Sequence, residues 1–73
     1  MPKLYSAKKV LKALKKAGFK EISQKGSHIK LKGISEEKLL TVIVPNHKII
    51  AKGTFSSILR QAEMTKKEFE NYL

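Results

Sequence analysis

Apolar residues recur along this chain at spacings that change from place to place, and the changes mark its elements. From Ala7 to Ala17 they fall at positions 7, 10, 11, 13, 14 and 17. That is the spacing of a stripe along one side of a helix. Lys8, Lys9, Lys12, Lys15 and Lys16 fill the other side. Ser6 stands where a hydroxyl can cap the first free amides. Gly18 stands where a left-handed residue ends a helix, with Phe19 folding back onto it. The spacing predicts a helix over 7–17. Residues 19–24 (Phe-Lys-Glu-Ile-Ser-Gln) then read as a strand, and Lys25-Gly26-Ser27 as a turn. Residues 28–32 alternate as His-Ile-Lys-Leu-Lys. Alternation puts Ile29 and Leu31 on one face and His28, Lys30 and Lys32 on the other. A loop of Lys25 and Gly26 sets Ser23 opposite His28, Glu21 opposite Lys30, and Ile22 beside Ile29 on the apolar face.

Residues 33–38 read as a polar connection. Residues 39–44 (Leu-Leu-Thr-Val-Ile-Val) form a third strand, apolar on both faces and so expected at the centre of the sheet or under cover. Pro45 ends it, having no amide for the ladder. Residues 46–52 are an irregular link. Gly53-Thr54 opens a second helix with Thr54 as its N-cap, and Phe55, Ile58, Leu59 and Ala62 make its buried stripe. Thr65-Lys66-Lys67-Glu68 is a capping box starting a short last helix, with Phe69, Tyr72 and Leu73 as its apolar contacts. The expected class is α+β, in the order α-β-β-β-α with a short extra C-terminal helix and a three-stranded antiparallel sheet. Residues 1–73 are expected to form one domain, with a thin core at this size.

Charge changes the picture. The net charge is +10, and it is lopsided. Residues 1–32 hold ten lysines against one acid, Glu21, whereas residues 33–73 hold six basic against five acidic residues. A one-sided field of this kind favours a polyanion over a merely solvated face. An anionic membrane surface fits less well, because the lysine-rich helix lacks the bulky apolar face of interfacial helices. No apolar run approaches the ~20 residues that span a bilayer, and no secretory leader is expected at the N-terminus. There is no cysteine, which excludes disulfides and thiolate metal sites and is compatible with the cytoplasm.

Few chemistries remain. Two histidines 19 residues apart, with six carboxylates in the chain, do not make a metal site of three or four ligands. Paired-carboxylate hydrolysis lacks material, and no glycine-rich phosphate loop occurs. No metal and no cofactor are expected. Histidines, lysines and hydroxyls suit RNA strand cleavage, in which the substrate supplies its own 2′-OH nucleophile. The protein need only move protons and neutralise the phosphate, and imidazole exchanges protons near neutrality. His28 is the better placed of the two, after a tight turn and on the face of Lys30 and Lys32. The pattern alone leaves it open between a proton-transfer group and an exposed strand histidine. Ser27 is balanced between a phosphate contact and a turn serine. His47, at a strand exit, is expected to make a structural hydrogen bond.

Taken in order, Gly26-Ser27-His28 in a hairpin, Val44-Pro45-Asn46-His47, Gly53-Thr54-Phe55 leading into Ile58-Leu59-Arg60-Gln61-Ala62, then Thr65 and Phe69 resemble the HicA family. These are the toxin halves of bacterial and archaeal toxin–antitoxin pairs. The resemblance runs from the first helix to Phe69. It implies a fold like the double-stranded RNA-binding domain, with the helices on one face of the sheet. It implies cleavage of mRNA without a metal, His28 as the catalytic histidine, and a HicB-type antitoxin that occludes this site. Lys25, Gly26, Ser27 and Lys30 are the expected RNA contacts around it. A non-catalytic RNA-binding module and a pure interaction domain are the competing readings. Two departures stand out. Glu63 occupies a position where the family pattern leads one to expect glycine. Ile49 and Ile50 make the link after His47 unusually apolar, which suggests an extended partner surface.

Overall fold

The computed structural model describes residues 4–73. The elements are α1 (Ala7–Lys16), β1 (Lys20–Lys25), β2 (His28–Ser35), β3 (Lys38–Pro45), α2 (Lys52–Gln61) and α3 (Lys66–Asn71). The strands form one antiparallel sheet in the order β1-β2-β3. Val10, Ala13 and Leu14 of α1, Phe55 and Ile58 of α2 and Phe69 of α3 are buried in one cluster with Ile29, Leu31, Leu40, Val42 and Val44. All three helices therefore pack on one face of the sheet. This is the expected α+β arrangement, similar to the double-stranded RNA-binding domain.

The helix ends follow from local chemistry. Ser6 Oγ accepts a hydrogen bond from the Lys9 amide at 3.2 Å. Thr65 and Glu68 form the reciprocal capping box, with bonds of 2.8 and 3.1 Å. The start of α2 corrects the expected cap. Its N-cap is Ala51, with no side-chain cap bond, and Thr54 lies inside the first turn. The cause is long-range: the Ile50 amide donates to the Tyr5 carbonyl at 2.8 Å. That bond fixes the chain just before Ala51 and lets the helix begin at once. It also buries Ile50, so of the two link isoleucines only Ile49 is exposed. The rings of Tyr5, Phe55 and Phe69 meet with centroids 5.0–5.2 Å apart in tilted and edge-to-face contacts. They lock the chain start to α2 and α3.

The strands depart from expectation in three ways. First, Lys25 pairs with His28, Gln24 with Ile29 and Ser23 with Lys30. The two-residue turn is thus Gly26-Ser27, not Lys25-Gly26. The register shifts between Glu21 and Ser23, and Ile22 is left exposed rather than beside Ile29. Every residue of β1 is exposed, so no buried face selects an apolar register there. Second, Gly33 and Ser35 belong to β2, and the connection shrinks to Glu36-Glu37, both at positive φ (52° and 64°). Third, β2 is the central strand and β3 an edge. The double apolar pattern of β3 comes from Leu40, Val42 and Val44 facing the core, with Ile43 half-buried on the other side. One amide of its outer edge is met by Gln61 of α2, whose Oε1 accepts from the Ile43 amide at 3.0 Å. Covering a free ladder amide in this way removes one of the groups an added strand would pair with.

Glu63 sits at φ 52° just after α2, a left-handed position that favours glycine. Its carboxylate meets Lys38 Nζ at 3.1 Å. The geometry expected of glycine is therefore kept by glutamate. Gly33 is required for another reason. A Cβ built on it would lie 2.7 Å from Cδ2 of the buried Phe19 ring. Gly33→Ala is expected to destabilise the protein by about 1–3 kcal/mol through overpacking, measured by denaturant unfolding. An unchanged midpoint would show that the Phe19 ring can move aside freely.

Candidate functional site

The pairing of β2 decides which side chains reach solvent. Ile29, Leu31 and Gly33 face the core, whereas His28 and Lys30 are exposed and Lys32 half-exposed on the uncovered face of the sheet. Across the ladder, Lys25 stands opposite His28 and Ser23 opposite Lys30. Directly opposite side chains lie with their Cβ atoms roughly 5 Å apart. On its other flank His28 is opposite Pro45. The imidazole thus emerges at the start of the central strand, with a lysine beside it on β1 and Lys30 one step along its own strand. Gly26, at φ 58°, lets the chain reverse in two residues immediately before it.

Backbone bonds hold this end of the molecule together. The Asn46 amide donates to the Ser27 carbonyl at 2.6 Å, one step beyond the last strand pair. The His47 amide donates to the Pro45 carbonyl at 2.9 Å. Asn46 is not among the positive-φ residues, so this is an inverse γ-turn. The His47 carbonyl in turn accepts from the Ala7 amide at 3.0 Å. One chain of hydrogen bonds therefore joins the hairpin, the exit of β3 and the first turn of α1. The open amides of that first turn are partly met by His47 and Ser6, so no bare helix terminus is presented.

The side chain of His47 contradicts expectation. It is exposed and has no hydrogen-bond partner among the described residues, so the expected structural bond is not made. It borders a shallow hollow with Ser6, Lys8, Asn46 and Lys48. Sequence reading found none of this grouping, because it joins two segments far apart in the chain and leaves no trace in local periodicity. A separate apolar cavity of about 150 Å³ between Tyr5, Ile50, Phe55 and Leu59 contains none of the expected site residues.

The lysines do not form one surface. Lys25, Lys30 and Lys32 lie with His28 on the open sheet face. Lys8, Lys12 and Lys15 line the outer side of α1 with Leu11, beyond the helix layer. Lys8 alone also borders the His47 hollow. Acids do not neutralise the His28 end: among the described residues the ion pairs are Lys15–Glu21 at 3.8 Å and Lys38–Glu63 at 3.1 Å. No three histidine, aspartate or glutamate side chains gather among the described residues. At the opposite end of the open face, Ile22, Ile34 and Leu39 are exposed and adjacent, with Lys20 and Lys32 beside them. Ile34 lies six residues along β2 from His28, about 20 Å away at strand rise.

The fold and this site define a small α+β domain that presents a cationic sheet face bearing one accessible histidine. The family model described as the HicA toxin of bacterial toxin–antitoxin matches residues 7–64, most of the 73-residue chain. The chain belongs to the HicA toxin family, and with it to the toxin side of a toxin–antitoxin partnership. No curated protein matches it. No described helix is long and apolar enough to cross a membrane.

The hydrogen bond from Asn46 to Ser27 is expected to keep the hairpin ordered. Asn46→Pro deletes the donor while the inverse γ-turn accommodates the proline ring. The loss of about 1 kcal/mol should speed amide exchange at Lys25–His28 roughly fivefold and leave the Glu36-Glu37 end unchanged. Uniform acceleration, or none, would show that the bond does not anchor the hairpin.

Proposed function

We propose that the protein is a metal-independent endoribonuclease that cleaves mRNA and so inhibits translation, with His28 as its catalytic histidine. The observation that carries the reading is the position of His28 on a braced hairpin, between Lys25 and Lys30, on a face no helix covers. In this reading the RNA backbone lies along the open face. The ammonium groups of Lys25 and Lys30 offset phosphate charge. The backbone at Gly26 and the hydroxyl of Ser27 contact a phosphate oxygen. His28 exchanges a proton at the scissile linkage, where the 2′-OH attacks phosphorus. The substrate supplies the nucleophile, so the site needs only proton transfer and charge stabilisation.

The partner in this reading is a HicB-type antitoxin that occludes His28, and the pair acts in the cytoplasm. Two features support a protein partner on this face. The exposed Ile22, Ile34 and Leu39 provide apolar area next to the cationic strip. The +10 net charge favours an acidic partner over a second copy of the same chain. Lys12 and Lys15 on the outer side of α1, which border neither the open face nor the His47 hollow, favour a second reading, a non-catalytic module that binds double-stranded RNA. A gel shift that leaves the RNA intact after incubation supports that second reading.

His28→Ala is expected to lower RNA cleavage at least a hundredfold, with EDTA present throughout and the circular dichroism spectrum unchanged. Equal cleavage by the variant would overturn the assignment of His28. In the inactive His28→Ala background, Lys25→Ala with Lys30→Ala should reduce the slope of log K against log salt by about 1.4 on single-stranded RNA, at about 0.7 per phosphate contact. An unaltered slope would place the RNA elsewhere, with the α1 lysines as the next surface to test.

A further inference from the structure

We infer that His47 is the second proton-transfer group of the RNA-cleaving site, acting on the same phosphodiester as His28; this inference rests on the ribonuclease reading. Strand cleavage through the 2′-OH needs two proton transfers on opposite sides of phosphorus. One group takes the 2′-OH proton as the O2′–P bond forms. The other gives a proton to O5′ as the P–O5′ bond breaks, leaving a 2′,3′-cyclic phosphate and a 5′-OH. One group ends protonated and the other deprotonated, and exchange with water resets both. A single imidazole at one edge of the linkage serves one of these transfers well and the other poorly.

The structure supplies a second imidazole at the same end of the sheet. His28 pairs with Pro45, and His47 lies two residues further on. A strand pair separates Cα atoms by about 5 Å and two residues add at most about 7 Å, so the two Cα atoms lie within about 12 Å. A phosphodiester with its two riboses spans that gap. The backbone of His47 is held at both polar groups, its amide by Pro45 and its carbonyl by Ala7. Its side chain has no hydrogen bond among the described residues and is open to solvent beside Lys8 and Lys48. A histidine kept for structure would use its ring; here the backbone makes the structural bonds and the ring is left available. The γ-turn at Asn46 carries the chain past the last β2–β3 pair, and the His47 carbonyl is tied to the Ala7 amide, so His47 does not continue the ladder that holds His28. The two cations at the hollow favour an RNA phosphate there.

The test uses the full chain and two RNA oligonucleotides of the same sequence, one with an ordinary linkage and one with sulfur in place of O5′ at the cleavage point. A thiolate leaves without needing a proton. His47→Ala and His47→Gln should each cleave the ordinary RNA at least a hundredfold more slowly than the unaltered chain, with unchanged thermal unfolding. On the sulfur substrate, activity should return to either the His47 variants or His28→Ala, but not to both. Rescue of the His47 variants makes His47 the acid and His28 the base; rescue of His28→Ala reverses the roles. Ordinary cleavage by the His47 variants overturns the inference, and so does a loss with neither or both rescued. If the unaltered chain leaves every RNA intact, it is the ribonuclease reading itself that falls.

Discussion

The pairing of β2 with β3 runs without a shift over eight residues, from His28 opposite Pro45 to Ser35 opposite Lys38. Side chains alternate along a strand, so this register settles two matters at once. It turns Ile29, Leu31, Val42 and Val44 into the core, where they are at most 3% exposed. It turns His28 and Lys30 to solvent. A slip of one residue would bury a histidine and two lysines and expose the core set. The apolar face therefore positions the candidate site: burying uncharged strand residues holds His28 in place without any bond to its ring.

What could be read from the chain beforehand was what local chemistry decides. The α1 stripe, the Ser6 cap and the Thr65–Glu68 box all depend on residues within four positions of each other, and each forms as its spacing predicts. The alternation of β2 was legible for the same reason. The β1 register was not. It was inferred by matching Ile22 to Ile29, but β1 overhangs the core and nothing rewards that match, so Lys25 rather than Ser23 faces His28. The cap of α2 failed because a distant bond, Ile50 to Tyr5, overrides the local preference of Thr54. The same limit hid His47. Its environment is assembled from Ser6, Ala7 and Pro45, residues that no periodicity connects. The resemblance carried by Gly26-Ser27-His28 and its companions led to the family, which the family match bears out.

Strain is placed away from the site. Among the described residues, three that are not glycine hold positive φ: Glu36, Glu37 and Glu63. Such residues cost of order 1 kcal/mol each. They lie together at the far end of the molecule, because Lys38, which follows the Glu36-Glu37 turn, pairs with Glu63 after α2. That exposed pair contributes at most about 1 kcal/mol, so it orients the two turns more than it stabilises them. The end that carries His28 has its one left-handed residue at glycine, Gly26, and is tied by main-chain bonds instead.

This division of labour between the ends bears on how a charged surface is tolerated. Lysines crowd the open face and the outer side of α1, and mutual repulsion works against compactness. The core that opposes it is made of small pieces: a four-residue buried stripe from α1, five strand residues, the Tyr5–Phe55–Phe69 ring cluster, and Phe19, Ile50, Ile58 and Ala62. Anything that brings negative charge to the open face relieves the repulsion, and by linkage it stabilises the fold that binds it. In the proposed reading, RNA and an acidic antitoxin would both do so on the face of His28. On that reading the two would compete, because the cationic strip is one strand pair wide and the apolar Ile34–Leu39 pair continues the same surface. On the proposed reading, a protein that covers both the His28 end and the Ile34–Leu39 end would gain apolar burial unavailable to RNA, and that difference would let it displace a polyanion from an equally cationic site.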